Sequence, residues 1–296
     1  MNKVLITGAT GQLGTATIDF LLAKHKKTNI IALARNADKA ATLKSKGIDV
    51  KIGNYDDYTS LLQATKGVKT MLLISSSEMT KSRAIHHINA INAAKENGVK
   101  HIIYTGFIRT HDDPTSPLWF IAKDHVETEK YLKESGINYT LFENGFYLDM
   151  LMDFIGKNIV DTKTIFVPAG NGKINFVLRD EIAEALANVL TTTGHENKTY
   201  NIGIEQPVSF HEIAGYITDI TGVSISYVSP EPDVYIQTLL KYGVPEMYAR
   251  MFSAFAVAFA ANTMNVPTTD LTKLLGRKPT SVNQFLNSFL TKNRKI

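Results

Sequence analysis

A glycine-spaced turn between an apolar triplet and an amphipathic segment constrains this chain more than any other feature. Val4, Leu5 and Ile6 are followed by Gly8, Gly11 and Gly14 at the spacing GxxGxxG, with Leu13, Thr17, Phe20 and Leu21 at helical intervals. A short apolar run suits a strand covered on both faces. Gly8 lets the chain turn sharply out of that strand, Gly11 admits a pyrophosphate against bare backbone, and Gly14 lets the helix lie close on the sheet. Free N–H groups and the dipole at a helix start attract phosphate. A strand directly before the glycines and a helix directly after them turn a weak pattern into a specific expectation, a dinucleotide site.

Downstream, apolar runs and helical stretches alternate. Residues 29–34 (NIIALA) read as a second strand, 49–52 as a third, 70–74 as a fourth, 100–105 as a fifth and 138–142 as a sixth. Helices are expected over 37–46, 58–65, 82–97 and 123–135, with Gly47, Gly98 and Gly136 as stops. Such alternation means an α/β fold, a Rossmann doubly wound parallel sheet with helices on both faces.

Ligands in such sheets lie beyond the carboxyl ends of the strands. Arg35 follows the second strand, where an acidic residue would hold the 2′-hydroxyl of NAD. A guanidinium suits the 2′-phosphate of NADP, so NADPH is favoured; the other reading is a solvated arginine heading a surface helix. Asn54 and Tyr55 follow the third strand, where the adenine is expected. Ser75, Ser76 and Ser77 follow the fourth; small hydroxyls there suit the nicotinamide ribose, or a turn capping the next helix. Thr105, Gly106 and Phe107 close the fifth strand, and Glu143, Asn144, Gly145 and Phe146 the sixth. The loop over 109–118, with two prolines and two aspartates, is a candidate lid. His86 and His87 are adjacent on a helix and share no face, so they are not a ligand pair.

The second half is less regular. Residues 164–167 and 174–178 read as short strands around the turn PAGNGK, and 199–202 and 225–228 as further strands. Asp180 is expected to cap one helix, and Ser209 with Glu212 to form a capping box on another. From Pro232 onward the helices are rich in tyrosine, methionine and phenylalanine, which serve as core or line a pocket for a flat apolar substrate. The expected division is a cofactor-binding Rossmann domain over 1–150, with 174–204 returning to it, and a smaller α+β C-terminal substrate domain over 151–296.

Composition removes several classes. Hydrophobic residues are 44% and charged residues 20% of the chain, as in ordinary globular enzymes. The net charge of +4 is dispersed, apart from Lys292, Arg294 and Lys295, which read as a frayed tail, so no nucleic-acid partner is expected. The lack of cysteine excludes disulfides, thiolate nucleophiles and Cys-ligated metals, and agrees with a cytoplasmic protein. The first strand starts too early to leave room for a signal peptide. The apolar stretch MFSAFAVAFAANTM is too short to span a bilayer, so no membrane association is expected. No spacing of the HExxH kind calls for a metal, and nothing calls for flavin.

The segments GATGQLG, ALARN, LLISSS, VKHIIYT, ETEK with SGINYTL, and GHENKTYN are collinear, and together they resemble the NmrA-like branch of the atypical short-chain dehydrogenase/reductases. Within it the likeness is to the bacterial NADPH-dependent quinone oxidoreductase and triphenylmethane reductase group, and it covers almost the whole chain. The resemblance implies a core that binds NADP(H) and a smaller C-terminal domain that closes over the substrate. By position it makes Gly8, Thr10, Gly11, Gln12 and Leu13 the phosphate loop and Arg35 the 2′-phosphate ligand. It brings Ser75 and Ser76 to the ribose, and sets Thr105, Asn144, Gly145 and Phe146 around the nicotinamide. Phe107, Trp119 and Tyr147 are candidates for the substrate wall, and Lys123 and Asn144 for catalysis.

Two departures matter. The Tyr-xxx-Lys pair of ordinary short-chain dehydrogenases is absent, because Trp119 stands four residues before Lys123. Tryptophan passes no proton, so alcohol dehydrogenation and sugar-nucleotide epimerisation are not expected. Hydride transfer to a quinone or conjugated cation remains, because the acceptor is already electrophilic and positioning does most of the work. Glu143 stands where relatives commonly carry arginine. The expectation is a reductase of a quinone or similar aromatic small molecule. The alternative is a non-catalytic NADP(H) sensor with a regulatory partner. An exposed aromatic patch on the C-terminal helices would favour a homodimer.

Arg35→Asp should lower the preference for NADPH over NADH by about 10- to 100-fold, since a hydrogen bond to a charged group contributes about 1.5–3 kcal/mol. An unchanged ratio of kcat/KM for the two cofactors removes Arg35 from the 2′-phosphate site.

Overall fold

In the computed structural model, which describes residues 3–24, 26, 29–78 and 82–293, seven parallel strands form one sheet. Strands β1 (Val4–Ile6), β2 (Ile30–Ala34), β3 (Asp49–Ile52), β4 (Thr70–Leu73), β5 (His101–Phe107) and β6 (Asn138–Asn144) alternate with helices α1 (Gln12–Leu22), α2 (Ala41–Ser45), α3 (Tyr58–Thr65), α4 (Arg83–Glu96) and α5 (Trp119–Glu134). The chain continues through β7 (Phe146–Tyr147), α6 (Leu151–Ile155), α7 (Ile159–Thr162), β8 (Thr164–Phe166), β9 (Phe176–Val177), α8 (Arg179–Thr191) and β10 (Lys198–Ile202). It ends with α9 (Phe210–Thr221), β11 (Ser226–Val228), α10 (Pro232–Lys241), α11 (Glu246–Ala260), α12 (Asp270–Leu275) and α13 (Val282–Asn293). The sheet order is β10-β6-β5-β4-β1-β2-β3, so the winding reverses at β1, between β4 and β2. This is the doubly wound α/β arrangement, with β10 returning to pair with β6.

The inner strands β1, β2 and β4 read as apolar runs because both faces are covered. Val4 and Ile6 point to one face with Leu13, Ile18 and Leu21 of α1 and Ile182 and Leu186 of α8. Leu5 points to the other, with Leu61 of α3, Ile91 of α4 and Leu132 of α5. A third, more aromatic core lies beneath the C-terminal helices, around Phe146, Phe154, Phe176, Phe210 and Phe259.

Several elements depart from the sequence reading for local reasons. Residues 37–40 form a turn, because the Asn36 side chain accepts from the Asp38 and Lys39 amides at 2.7 and 3.2 Å. Helix α5 begins at Trp119, and β5 and β6 run on to Phe107 and Asn144. The strands flanking PAGNGK do not pair with each other: β8 pairs with β11, and β9 with β7. Asp180 does not cap α8; Leu178 takes the cap position, and Asp180 lies in the first turn beside Arg179, which is ion-paired with Asp149. The capping box of α9 forms, with Ser209 N–H donating to Glu212 Oε2 at 2.8 Å and Glu212 N–H donating to Ser209 Oγ at 3.2 Å.

The C-terminal segment is tied back to α8. The buried Glu181 carboxylate accepts from Arg277 Nη1 at 2.6 Å and from the Thr280 amide at 2.9 and 3.0 Å. Arg294 and Lys295 of the basic tail lie outside the described residues. No helix among the described residues is long and apolar enough to cross a membrane.

The glycine turn is as tight as its spacing demands. Gly8 sits at φ +60°, and a Cβ on Gly14 would lie 2.4 Å from Gly8 O and 2.9 Å from Ala9 Cα. Both contacts are backbone, so α1 would have to move off the turn. Gly14→Ala should destabilise the chain by about 1–3 kcal/mol, the usual range for overpacking. A thermal melt unchanged from wild type would overturn this account of the helix–turn contact.

Candidate active site

The turn after β1 presents an uncapped helix start. Gly11 holds the cap position of α1 with no side-chain cap, and the first turn carries no acidic residue. The opening amides of the helix, from Gln12 and Leu13, are therefore available to an anion. Arg35, at the end of β2, is exposed and makes no hydrogen bond or salt bridge among the described residues. The polar groups after β3 are already engaged. Asn54 Oδ1 accepts from the Asp56 and Asp57 amides at 2.8 and 3.0 Å. The Tyr55 hydroxyl donates to Ile74 O at 2.7 Å and lies 2.6 Å from Thr7 Oγ1, bracing the turns after β1 and β4.

Ser75, Phe107 and Asn144, from the ends of β4, β5 and β6, meet around a cavity of about 180 Å³. Gly145, Phe146 and Tyr147 form one side of it, Leu118, Ile121 and His125 another, and Met150, Phe255 and Met264 close it from the C-terminal half. The register of β5 on β6 sets Phe107 beside Asn144. Thr105 is buried behind the cavity, where its Oγ1 accepts from the Ser75 amide at 2.9 Å. A larger hollow of about 310 Å³ opens at the opposite, amino-terminal edge of the sheet, beside Lys69, Lys100 and Glu196. Doubly wound sheets bind ligands at the carboxyl edge, so the smaller cavity is the candidate site.

Asn144 is 2% exposed, and among the described residues its Oδ1 and Nδ2 are the only side-chain nitrogen or oxygen atoms fully shut off from solvent that have no partner. An unpaired buried polar group costs about 1–3 kcal/mol. A ligand carrying both a donor and an acceptor, such as a carboxamide, would relieve that cost at both atoms. The chain reaches this position through Gly145, where a Cβ would lie 2.5 Å from Asn175 O.

Behind the cavity is a buried polar chain. The Ser76 amide donates to His87 Nε2 at 2.8 Å, His87 Nδ1 faces Thr128 Oγ1 at 2.9 Å, and the Tyr104 hydroxyl lies 2.8 Å from His125 Nδ1. Burial, reinforced by the Arg83 charge, pushes His87 down to about 3 and holds His125 well below the usual imidazole value, so both rings are neutral.

Lys123 and Trp119 do not line the cavity. Lys123 is exposed, two residues from His125 and so roughly 200° around the helix from it. The cavity face of α5 is Leu118, Ile121 and His125 instead. His125 escaped the sequence reading because the helix was expected to begin at 123, too late to show the i, i+4 pairing of Ile121 with His125. Among the described residues, no cluster of three or more histidine, cysteine or acidic side chains could hold a metal.

Residues 1–286 match the model of the NmrA-like family. Quinone oxidoreductase 2 of Escherichia coli is 35% identical over 290 residues, covering 98% of this chain and 99% of that protein. The crystal structure of Citrobacter sp. triphenylmethane reductase complexed with NADP(H) superposes with a TM-score of 0.89 at 34% identity, over 97% of this chain and 100% of that one. An NADPH-dependent quinone oxidoreductase of Escherichia coli, complexed with NADPH, superposes with a TM-score of 0.89 at 35% identity, over 97% and 99% of the two chains.

Beside the cavity lies a charged cluster. Arg109 donates to both Glu129 oxygens, at 3.1 and 2.6 Å, and to Phe107 O at 3.1 Å. Glu143 is left beside this pair. Burial and then the Glu129 charge push its carboxyl up to about 7, against an opposing pull from Arg109. Native Glu143 therefore keeps its proton where an unfolded glutamate, at 4.5, has lost it. The native state binds more protons between these values, so the contribution of this residue is full below about 4.5 and is lost as pH rises through about 7. Glu143→Gln should raise Tm relative to wild type at about pH 8 and not at about pH 5. A difference in Tm that is the same at both values would overturn the assignment.

Proposed function

The chain belongs to the NmrA-like family, and from that premise we propose that it passes hydride from NADPH to a quinone or a comparably flat conjugated electrophile. It is an oxidoreductase, an NADPH-dependent reductase, and NADP(H) is its cofactor. The observation that carries the reading is the Asn144 amide, buried and unpartnered at both atoms in a cavity walled by flat apolar side chains. The nicotinamide carboxamide has the donor and the acceptor that this amide lacks.

The residue roles follow from position. The Gln12 and Leu13 amides, in the loop that Gly8, Thr10 and Gly11 shape, hold the pyrophosphate. Arg35, with no hydrogen bond or ion pair among the described residues, holds the 2′-phosphate. Ser75 and Ser76 lie toward the ribose, with Thr105 supporting Ser75 from behind. Asn144, Gly145 and Phe146 hold the nicotinamide end. When bound, the reduced nicotinamide supplies the hydride. Phe107, Tyr147 and Phe255 wall the cavity against water and present ring faces and edges to a flat substrate. Residues 1–150 with 174–204 form the cofactor half, and 151–296 contribute the side that closes on the substrate.

No observation favours the sensor reading, and a relative that aligns along 98% of the chain is named an oxidoreductase. The lack of cysteine supports a cytoplasmic place for the protein. The test is oxidation of NADPH by the purified protein with a panel of quinones, run beside NADH. Turnover with a preference for NADPH is expected. Tight binding of both NADP+ and NADPH with no turnover would overturn the reading.

A further inference from the structure

His125 lines the cavity, and hydride transfer as described leaves it without a part. The hydrogen bonds behind it fix which ring nitrogen carries its proton. The Ser76 amide can only donate, so His87 Nε2 accepts. His87 is neutral, so its one ring proton is on Nδ1, facing Thr128 Oγ1 at 2.9 Å and the Tyr104 hydroxyl at 3.3 Å. The Thr128 hydroxyl gives its own hydrogen to Asp124 O at 2.6 Å, so its oxygen is an acceptor. His87 Nδ1 carries a hydrogen and cannot accept one, so the Tyr104 hydroxyl gives its hydrogen to its nearer neighbour, His125 Nδ1 at 2.8 Å. His125 Nδ1 is then the acceptor, and the proton of this neutral ring is on Nε2. Nε2 has no hydrogen-bond partner among the described residues. Phe107 holds the ring edge-on, with centroids 5.4 Å apart.

We propose that His125 donates an Nε2–H hydrogen bond to the oxygen of a carbonyl acceptor, which makes it a catalytic residue for quinones in particular; this rests on the reductase reading above. A quinone that takes hydride on one oxygen gains an O–H bond and an electron pair. Its ring becomes aromatic, and its other oxygen is left as a phenolate. Water supplies the second proton, so quinone, NADPH and one proton give hydroquinone and NADP+. A donor aimed at the phenolate oxygen stabilises the charge as it develops. Burial keeps the imidazole neutral, so it donates a hydrogen bond without giving up its proton. A triarylmethane cation differs: it takes hydride on carbon, loses its positive charge, and has no carbonyl oxygen to stabilise.

These two acceptors separate the donor from the hydride step. Wild type, His125→Phe and His125→Gln are assayed for NADPH oxidation with 1,4-benzoquinone and with crystal violet. In His125→Phe the ratio of quinone to dye kcat/KM should fall by about 10²-fold, the usual effect of removing one such donor. His125→Gln, which keeps an N–H, should recover part of it. A ratio equal to that of wild type overturns the proposal, and the dye rate shows in the same sample whether the variant is folded. Failure of wild type to reduce either acceptor is a different result, and it ends the reductase reading itself. Nitrogen NMR of the wild-type protein gives a readout without turnover. His125 should be protonated at Nε2, and Tyr104→Phe should disturb that preference. A ring protonated at Nδ1 overturns the proposal.

Discussion

The parallel register of β5 on β6 is the constraint on which the site depends. It runs for seven residues, from His101 beside Asn138 to Phe107 beside Asn144. Side chains alternate along a strand, so a slip of one residue would turn Asn144 away from the cavity and bring Glu143 in. One bond continues the β5–β6 register past the strand ends, and two more fix the chain that leaves β6. The Ile108 amide donates to Asn144 O at 2.8 Å, the Gly145 amide to Ile202 O at 2.7 Å, and the Phe146 amide to Asn175 O at 2.7 Å. The backbone at this point is satisfied by β10 and by the segment before β9, while the Asn144 side chain is satisfied by nothing. Structural demand and ligand demand are thereby separated at a single residue.

The polar interior beneath the site is kept neutral or paired. Arg83 donates to Asp124 Oδ2 at 3.3 Å and to Ile121 O at 2.7 Å, which ties α4 to the face of α5 that approaches the cavity. Arg109 is matched by Glu129 in the same way. Each cation thus has its carboxylate, and the histidines between them stay uncharged, as burial requires. His86 and His87 show how adjacency misleads. Their spacing denies them a common face, yet both are buried and both reach Ser76: His86 bonds its Oγ, and Asp56, and His87 accepts from its amide.

Much of the first half of the fold was legible because strands covered on both faces leave a plain trace, as in VLI, IIALA and TMLL of β1, β2 and β4, while the edge strand β3 (DVKI) shows through its place between two helical stretches. The glycine turn and the capping box were legible for the same kind of reason, since each is fixed by residues within a few positions of one another. What escaped depends on contacts between distant parts of the chain. Strand β7 is two residues long and has meaning only in its pairing with β9. PAGNGK looked like a hairpin turn, but its flanking strands find partners elsewhere. The cavity draws Ile121 and His125 together with Phe255 and Met264, more than a hundred residues later, and no local pattern announces that meeting.

Glu181 gives the architecture one more property. Its carboxylate sits on a helix of the sheet layer, while its partners Arg277 and Thr280 lie almost a hundred residues further along. A fragment ending before those partners would take from the carboxylate the guanidinium and the amide that neutralise it, and would uncover it to water. That helix is therefore completed by the far end of the chain and not by its own neighbours in sequence. The last stretch of the chain acts as its clasp, so the two halves stand or fall as one inheritance.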